Sequence, residues 1–314
     1  MKIAFLFPGQ GSQSVGMGKR LADASPAAAA VWLKADEAVG FPLSRLCFEG
    51  PADELALTAN TQPAILTASV AAAAVLAERG ISPDLCAGHS LGEYSALVVA
   101  GALGFADAVR LVRKRGEFMQ DAVPVGTGAM AALMGLDVEA AEKACAEAAQ
   151  GEVVNVANIN SPAQIVIAGH KGAVERAVKV AAGLGGKKSV LLPVSAPFHS
   201  ALMKPAADRL AALLERVAVR APRVPVVRNV DAGLTTTADD VKPFLIRQVA
   251  SPVRWADCLT ALAREGATVW LEVGPGRVLS GLLKRTIEGA RGLAVEDPDS
   301  LDAAAAALGA GPGS

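Results

Sequence analysis

Apolar segments that end at glycine or proline alternate along this chain with longer segments whose apolar residues recur at helical spacing. The first apolar run, residues 3–7, is unbroken and stops at Pro8, which predicts a buried strand at 2–7 followed by a loop. Helices are predicted at 64–79, where Pro63 stands near the start, and at 105–123. Further along, the pattern predicts a helix at 202–216, a strand at 224–229, a helix at 239–249, a strand at 269–273 and a helix at 277–287. This alternation indicates a mostly parallel sheet with helices on both faces.

A stretch of shorter elements interrupts that pattern. The sequence predicts, in order, a strand at 129–136, a helix at 138–149, strands at 153–158 and 165–169, a helix at 172–184 and a strand at 189–194. The order βαββαβ over about seventy residues is that of the ferredoxin-like motif. We therefore expect an α/β fold with a large domain at 1–125 and 196–314, and with a small ferredoxin-like domain inserted at 126–195.

Ser90 lies in the segment Gly88-His89-Ser90-Leu91-Gly92, between a short apolar run and a segment, 91–103, that contains no proline. A serine in this G-x-S-x-G spacing, where a strand turns sharply into a helix, is the nucleophile elbow of hydrolase-like α/β domains. The glycines permit the tight turn, and N–H groups at the helix start can stabilise a developing oxyanion. Ser90 is therefore a candidate nucleophile, and the alternative is a serine on an ordinary turn.

Arg115 lies on the apolar face of the helix predicted at 105–123. The apolar residues that share this face at three- and four-residue spacing are Ala108, Leu111, Val112, Phe118 and Met119. A buried guanidinium requires an anion that matches its fork, because an unpaired buried charge costs on the order of several kcal/mol. Two partners fit this requirement: an internal Asp or Glu, or the carboxylate of a substrate.

The chain contains only three histidines. His170, in a predicted turn, is expected to be an exposed loop residue. His199 lies in the proline-rich segment 193–200 after a predicted strand, where a side chain can be held rigidly. Serine is a poor nucleophile until a base takes its proton, so we expect His199 to be the base for Ser90. No carboxylate suited to orient the imidazole is evident between them, and a backbone carbonyl can do so instead.

Composition excludes several other classes of function. The formal net charge of −1 and the single tyrosine give no basic, aromatic surface for nucleic acid. The first apolar run is too short for a signal peptide or a membrane span. Four scattered cysteines without a C-x-x-C pair argue against a zinc site or a disulfide framework, and for a cytoplasmic setting.

The glycine-rich loop at 8–13 does not fit a phosphate site. No GKS or GKT follows at Walker spacing, and Ser14 stands where a dinucleotide-binding fingerprint would have glycine. Its glycines still allow a backbone N–H to approach a reacting group closely.

Eight collinear segments spread over nearly the whole chain carry a common resemblance. They are FPGQGSQ at 7–13, TQPA at 61–64, GHSLGEYSAL at 88–97, RGEFMQ at 115–120, GTGAMAA at 126–132, NSPAQIVIAG at 160–169, SAPFHS at 195–200 and EVGPG at 272–276. Together they resemble the malonyl-CoA:acyl carrier protein transacylases and the related acyltransferase domains of fatty-acid and polyketide synthases.

The resemblance implies a role for each matching residue. Ser90 would become malonylated, His199 would act as its base and acid, and Arg115 would hold the malonyl carboxylate. The N–H groups of Gln10 and Leu91 would form the oxyanion hole. Further residues are expected at the site: Gln248, which matches the residue whose main-chain carbonyl orients the histidine, and, near the site, Asn160 and His89.

The resemblance also implies the reaction and its participants. It implies transfer of a malonyl group from malonyl-CoA to the phosphopantetheine thiol of acyl carrier protein in fatty-acid biosynthesis, with no bound cofactor or metal. Separately from the resemblance, we expect a monomer and, from the cysteines, a cytoplasmic setting. No nucleic acid or membrane is expected as a partner. Two other hypotheses remain open: a serine thioesterase or esterase with water as acceptor, and an acyl-binding module without catalysis.

Overall fold

The computed structural model of the protein describes residues 1–194 and 196–309. The strands in chain order are β1 Ile3–Phe7, β2 Leu85–Gly88, β3 Gly128–Met134, β4 Val154–Ser161, β5 Gln164–His170, β6 Lys188–Leu191, β7 Val226–Val227, β8 Leu234–Thr235, β9 Val269–Val273 and β10 Gly292–Val295. The helices of the first half are α1 Lys19–Ala24, α2 Pro26–Val39, α3 Leu43–Glu49, α4 Ala52–Ala56, α5 Thr58–Glu78, α6 Gly92–Val99 and α7 Phe105–Asp121. Those that follow are α8 Val138–Ala149, α9 Lys171–Gly183, α10 Lys204–Leu214, α11 Ala238–Val249, α12 Trp255–Arg264, α13 Val278–Thr286 and α14 Pro298–Ala307.

The larger sheet has the strand order β10-β9-β1-β2-β7-β8 and is parallel except for the edge strand β8. β1 and β2 are buried apolar strands at its centre, as expected for strands covered on both faces. Their register pairs Phe7 with Gly88, so that both strands end at the same edge of the sheet. The loop after β1 and the turn after β2 therefore meet there.

Helix α5 forms the centre of one helical layer and packs against α2, α6 and α7. Its length and apolar composition alone would allow it to cross a membrane, but most of it is buried within the fold. The helix begins at Thr58, earlier than the sequence predicts, and Pro63 lies inside it. Because proline has no N–H, the carbonyl of Ala59 loses its helical donor, and the side chain of Arg113 donates to that carbonyl instead (3.5 Å).

The smaller sheet has the order β4-β5-β3-β6 and is antiparallel throughout. Helices α8 and α9 cover one face around an apolar core of their own. The chain order β3-α8-β4-β5-α9-β6 in this strand order is the ferredoxin-like topology. The sequence-based expectation of an α/β fold with this smaller βαββαβ unit is confirmed.

Strand β4 of the smaller sheet is hydrogen-bonded to the segment between α11 and α12. Val253, which follows α11, forms a parallel bridge with Asn158: the N–H of Ile159 donates to Val253 O (2.8 Å), and the N–H of Val253 donates to Ala157 O (2.9 Å). These bonds, together with the packing of α12 and α13 on β4, hold the smaller sheet to the larger unit.

Several elements differ from the sequence-based expectations. The strand expected at 224–229 is only Val226–Val227. Pro225, which has no N–H to donate, directly precedes it, and a turn follows it. The helix expected at 202–216 begins as a 3-10 turn, Ala201–Met203, before α10. The elbow helix ends at Val99, and Gly101 with φ of 82° turns the chain out of it.

Candidate active site

Ser90 occupies a sharp turn between β2 and α6. Its φ of 52° lies in the left-handed region, which a residue with a side chain adopts only where its surroundings enforce it. A Cβ at Gly88 would overlap the backbone of Gly92, and a Cβ at Gly92 would overlap the carbonyl of Phe7. Both flanking positions therefore require glycine, as the elbow interpretation expects, and the serine is not on an ordinary open turn.

The Ser90 hydroxyl contacts the His199 ring. Ser90 Oγ lies 2.7 Å from His199 Nε2, and His199 Nδ1 lies 2.9 Å from the main-chain oxygen of Gln248. A carbonyl oxygen only accepts, so Nδ1 carries the proton and Nε2 presents its lone pair to the hydroxyl. Gln248 is in the last turn of α11, where main-chain carbonyls lack an i+4 helical donor. This carbonyl orients the ring in the place of a carboxylate.

His199 is 4% exposed, and its backbone φ is 60°. Burial, together with the positive charge of Arg115, lowers the pKa of the imidazole to about 3. The ring is therefore neutral at physiological pH, which is the form that can accept the serine proton.

Arg115 is buried beneath the elbow, with its guanidinium carbon 5.3 Å from the centre of the Tyr94 ring. Its Nη1 donates to Gln62 Oε1 (2.9 Å), and its Nη2 donates to Gln248 Oε1 (2.9 Å) and to Ser90 Oγ (3.2 Å). Burial lowers the pKa of this guanidinium.

Among the described residues, the cations of α7 that form ion pairs are Arg110, Arg113 and Lys114, and Arg115 forms none. The sequence left two partners open for Arg115, and the structure does not show the first of them, an internal Asp or Glu in direct contact with the guanidinium. The guanidinium instead meets neutral oxygens and the nucleophile.

Gln10 and Leu91 stand on the two loops that the sheet brings together. Gln10 follows β1, and its side chain donates to Thr58 Oγ1 (3.2 Å). Leu91 directly precedes α6, and the N–H groups that follow it, of Gly92 and Glu93, donate to the carbonyls of His89 (2.9 Å) and Ser90 (3.2 Å). Both residues line the same cavity as Ser90, His199 and Arg115.

His89 and Asn160 form a pair at the side of this cavity, with His89 Nε2 2.9 Å from Asn160 Oδ1. Burial lowers the pKa of His89, whose ring lies 5.6 Å from that of Trp255. His89 lines the cavity. Asn160 contacts His89 and is therefore separated from the cavity by the His89 side chain.

The cavity lies between the two sheets. Its walls come from the β1 and β2 loops and α7 on one side, and from β3, β4 and the segment after β6 on the other. The lining residues are Gln10, Gln62, His89, Ser90, Leu91, Arg115, Met119, Met130, Asn158, Leu192, Val194, Phe198 and His199. The apolar members suit an acyl chain, and the polar members lie around the serine.

Sequence reasoning missed three polar residues of the site. Gln62 binds Arg115, Asn229 Oδ1 accepts from the Ser90 N–H (2.7 Å), and Glu93 Oε2 accepts from the Asn229 N–H (3.0 Å). Burial raises the pKa of the Glu93 carboxyl to about 7. A signal existed for two of them: Asn229 is the last residue of a predicted strand, at the edge where sites form in parallel sheets, and Glu93 is an acid within an apolar helix.

His170 differs from its expectation of an exposed loop. It is the last residue of β5 and half-buried, and its Nδ1 accepts the N–H of Val153 (2.9 Å).

Comparisons with known proteins agree over most of the chain. Residues 4–300 match the model of the acyl transferase domain family. The malonyl CoA-acyl carrier protein transacylases of Bacillus subtilis (strain 168) and Escherichia coli (strain K12) are each 51% identical over 304 residues, covering 96% of this chain and 96% and 98% of those proteins.

Solved structures show the same likeness. An acyl carrier protein S-malonyltransferase from Vibrio cholerae is 50% identical with a TM-score of 0.95, covering 96% of this chain and 99% of that one. A malonyl-transacylase solved in complex with a type II PKS acyl-carrier protein is 48% identical with a TM-score of 0.94, covering 97% and 99%. The chain therefore belongs to the acyl transferase domain family and, within it, to the malonyl CoA-acyl carrier protein transacylases.

Proposed function

We propose that this chain transfers a malonyl group from malonyl-CoA to the phosphopantetheine thiol of an acyl carrier protein, through a malonyl ester on Ser90. The observation that carries the proposal is the double contact of Ser90 Oγ, which lies 2.7 Å from His199 Nε2 and 3.2 Å from Arg115 Nη2. The nucleophilic oxygen thus contacts both its base and a buried cation. This arrangement fits an acyl donor that ends in a carboxylate.

In the first half-reaction, His199 Nε2 takes the Ser90 proton while Oγ attacks the thioester carbon. The N–H groups of Gln10 and Leu91 stabilise the negative oxygen of the tetrahedral intermediate. The C–S bond then breaks, the proton on His199 passes to the coenzyme A sulfur, and the malonyl ester of Ser90 remains.

The second half-reaction runs the same steps with a different thiol. The phosphopantetheine thiol gives its proton to His199 and attacks the ester carbon, and the proton returns to Ser90 Oγ as the C–O bond breaks. Arg115 holds the malonyl carboxylate in both halves, which favours malonyl over acetyl donors because acetyl leaves the buried guanidinium unpaired.

The remaining parts of the proposal concern the setting of the enzyme. It serves fatty-acid biosynthesis in the cytoplasm as a monomer, with malonyl-CoA and acyl carrier protein as its substrates and with no bound cofactor or metal. The large domain spans 1–125 and 196–314, and the small domain spans 126–195. His89 and Asn160, which lie beside the cavity, support its shape next to Ser90.

The test compares two acceptors. Malonyl-CoA is incubated with the enzyme alone and with phosphopantetheinylated acyl carrier protein, and free coenzyme A and malonyl-carrier protein are measured by mass spectrometry. The proposal predicts malonyl-carrier protein as the main product and little release of malonate. Equal hydrolysis of malonyl-CoA with and without carrier protein would instead identify a thioesterase.

A further inference from the structure

Gln248 is the residue through which the groups around Ser90 are connected. Its main-chain oxygen meets His199 Nδ1 (2.9 Å), and its side-chain Oε1 accepts from Arg115 Nη2 (2.9 Å). The other end of the same amide, Nε2, donates to Ser90 O (2.9 Å) and to Glu93 Oε2 (2.8 Å). One fully buried side chain thus contacts the cation and the elbow at once.

The direction of that amide decides whether the contact with Arg115 is favourable. A guanidinium has donors only, so the amide oxygen must face it. If the amide were reversed, its NH2 group would face Arg115, and its oxygen would face the carbonyl of Ser90 and the carboxyl of Glu93. Two donors would then oppose each other in a buried site, and so would the acceptors, which is costly.

Glu93 is the titratable group at the Nε2 end. It is 3% exposed and lies in the first turn of α6, three residues after the nucleophile. Its Oε2 faces two donors, Gln248 Nε2 (2.8 Å) and the N–H of Asn229 (3.0 Å). An oxygen that faces two donors accepts whether or not the other carboxyl oxygen carries a proton, so it holds Nε2 toward the elbow over the physiological pH range.

We propose that Glu93 is a positioning residue for substrate recognition: by accepting from Gln248 Nε2 it fixes the amide so that Oε1 meets Arg115, which aligns the guanidinium for a substrate carboxylate. Glu93 does not touch His199, Ser90 Oγ or Arg115 directly, and it acts through Gln248. No acid contacts the His199 imidazole directly among the described residues, but Glu93 contacts the side chain of Gln248, whose main-chain oxygen meets that imidazole. This inference rests on the proposed function, since it requires an acyl donor with a carboxylate.

The test measures two reactions of Ser90. One is malonylation by malonyl-CoA, and the other is labelling by a neutral fluorophosphonate, which needs the nucleophile but offers no carboxylate to Arg115. Glu93→Met keeps the side-chain length but removes the acceptor. It should lower kcat/KM for malonyl-CoA by about 10- to 100-fold, the effect of losing one buried charged hydrogen bond, and leave labelling within about threefold.

Labelling should persist because the elbow keeps its other support. Asn229 still accepts from the Ser90 N–H (2.7 Å) and donates to Gly88 O (2.8 Å) without Glu93. Glu93→Gln retains an oxygen for the same two donors and should stay within about threefold of wild type in both reactions. A double-mutant cycle tests whether Glu93 acts through Gln248. In a Gln248→Met background, Glu93→Met should lower kcat/KM for malonyl-CoA by no more than about a further twofold.

Glu272 provides a matched control. It is fully buried in β9 and accepts from the N–H groups of Leu279 (2.8 Å) and Ser280 (2.7 Å), outside the cavity. Glu272→Met removes comparable buried hydrogen bonds, so it should lower stability without changing the ratio of malonylation to labelling. If Glu93→Met does not fold, Glu93→Asp, which withdraws the acceptor by one methylene, should lower malonylation by about fivefold with labelling unchanged.

The outcomes separate this inference from the proposed function. A wild-type enzyme that takes the fluorophosphonate but no malonyl group contradicts the proposed function. If the wild type is malonylated, then equal loss of both reactions in Glu93→Met, independent multiplication of the Glu93 and Gln248 effects, or an unaffected Glu93→Asp overturns the positioning role.

Discussion

Arg115 Nη2 donates to Ser90 Oγ across 3.2 Å, so the buried cation and the nucleophile are in direct contact. A malonyl group has its carboxylate and its reacting carbonyl only one methylene apart, and a site that binds both must place their protein partners next to each other. An incoming carboxylate would replace the serine as a partner of Nη2. The contact therefore links acyl selection to the position of the nucleophile.

Replacing Arg115 by alanine should remove this selection. We expect kcat/KM for malonyl-CoA to fall by about 100-fold or more, because the substrate carboxylate would be buried without a partner, and the ratio of acetyl to malonyl transfer to rise. Steady-state transfer with each donor measures both. Arg110→Ala is the matched control on the same helix, since Arg110 is exposed and pairs with Asp107, and it should stay within about twofold of wild type. Unchanged donor preference in Arg115→Ala would refute the role of this residue.

The position of Arg115 illustrates what helical spacing alone can predict. Its place on an apolar face predicted burial, and the elbow pattern around Ser90 predicted a strand, a sharp turn and a helix, because both signals are local. The choice of Arg115 partners could not be predicted, since Gln62 and Gln248 come from distant helices whose packing the sequence does not show. The resemblance, rather than any spacing, pointed to the Gln248 carbonyl.

The low pKa of His199 predicts how the reactivity of Ser90 depends on pH. Because burial and the charge of Arg115 lower its pKa to about 3, the imidazole stays neutral as pH falls through 6.5, where an ordinary histidine takes up a proton. Labelling of Ser90 by a neutral fluorophosphonate should therefore vary little between pH 8 and pH 5, apart from the reagent's own hydrolysis.

Arg115→Met tests the cause of this shift. Removing a nearby positive charge makes protonation of His199 easier, so the acidic limb of the labelling profile should move up by about one pH unit. A wild-type profile that loses half its rate near pH 6.5, or a limb that moves to lower pH in Arg115→Met, would contradict the account.

The elbow glycines make a prediction about stability. Gly92→Ala places a methyl group against the carbonyl oxygen of Phe7, backbone that cannot move without separating β1 from α6, and it should cost about 3 kcal/mol or more of unfolding free energy. Gly281, inside α13, has open space at its Cβ position. Gly281→Ala should stabilise the protein by about 0.5–1 kcal/mol. Denaturant titration of both variants measures the difference, and equal stability of the two would show that the turn does not need its glycine.

The shortness of β7 and the hydrogen bonds among Ser90, Asn229 and Glu93 could not be predicted from the sequence, for a physical reason. Asn229 and Glu93 are 136 positions apart, and only the pairing of β2 with β7 brings them together. The ferredoxin-like unit was predictable because its six elements are short and consecutive along the chain, in the order βαββαβ. Long-range contacts become predictable only once the strand order is known.

The malonyl ester of Ser90 can be observed by intact-mass measurement. After brief mixing with malonyl-CoA in the absence of carrier protein, the wild-type enzyme should gain the mass of one malonyl group, and addition of phosphopantetheinylated carrier protein should remove that mass within one turnover. Ser90→Ala should gain nothing under the same conditions. A malonyl adduct of undiminished yield on Ser90→Ala, or a wild-type enzyme that never gains the mass while still forming malonyl-carrier protein, would contradict the account.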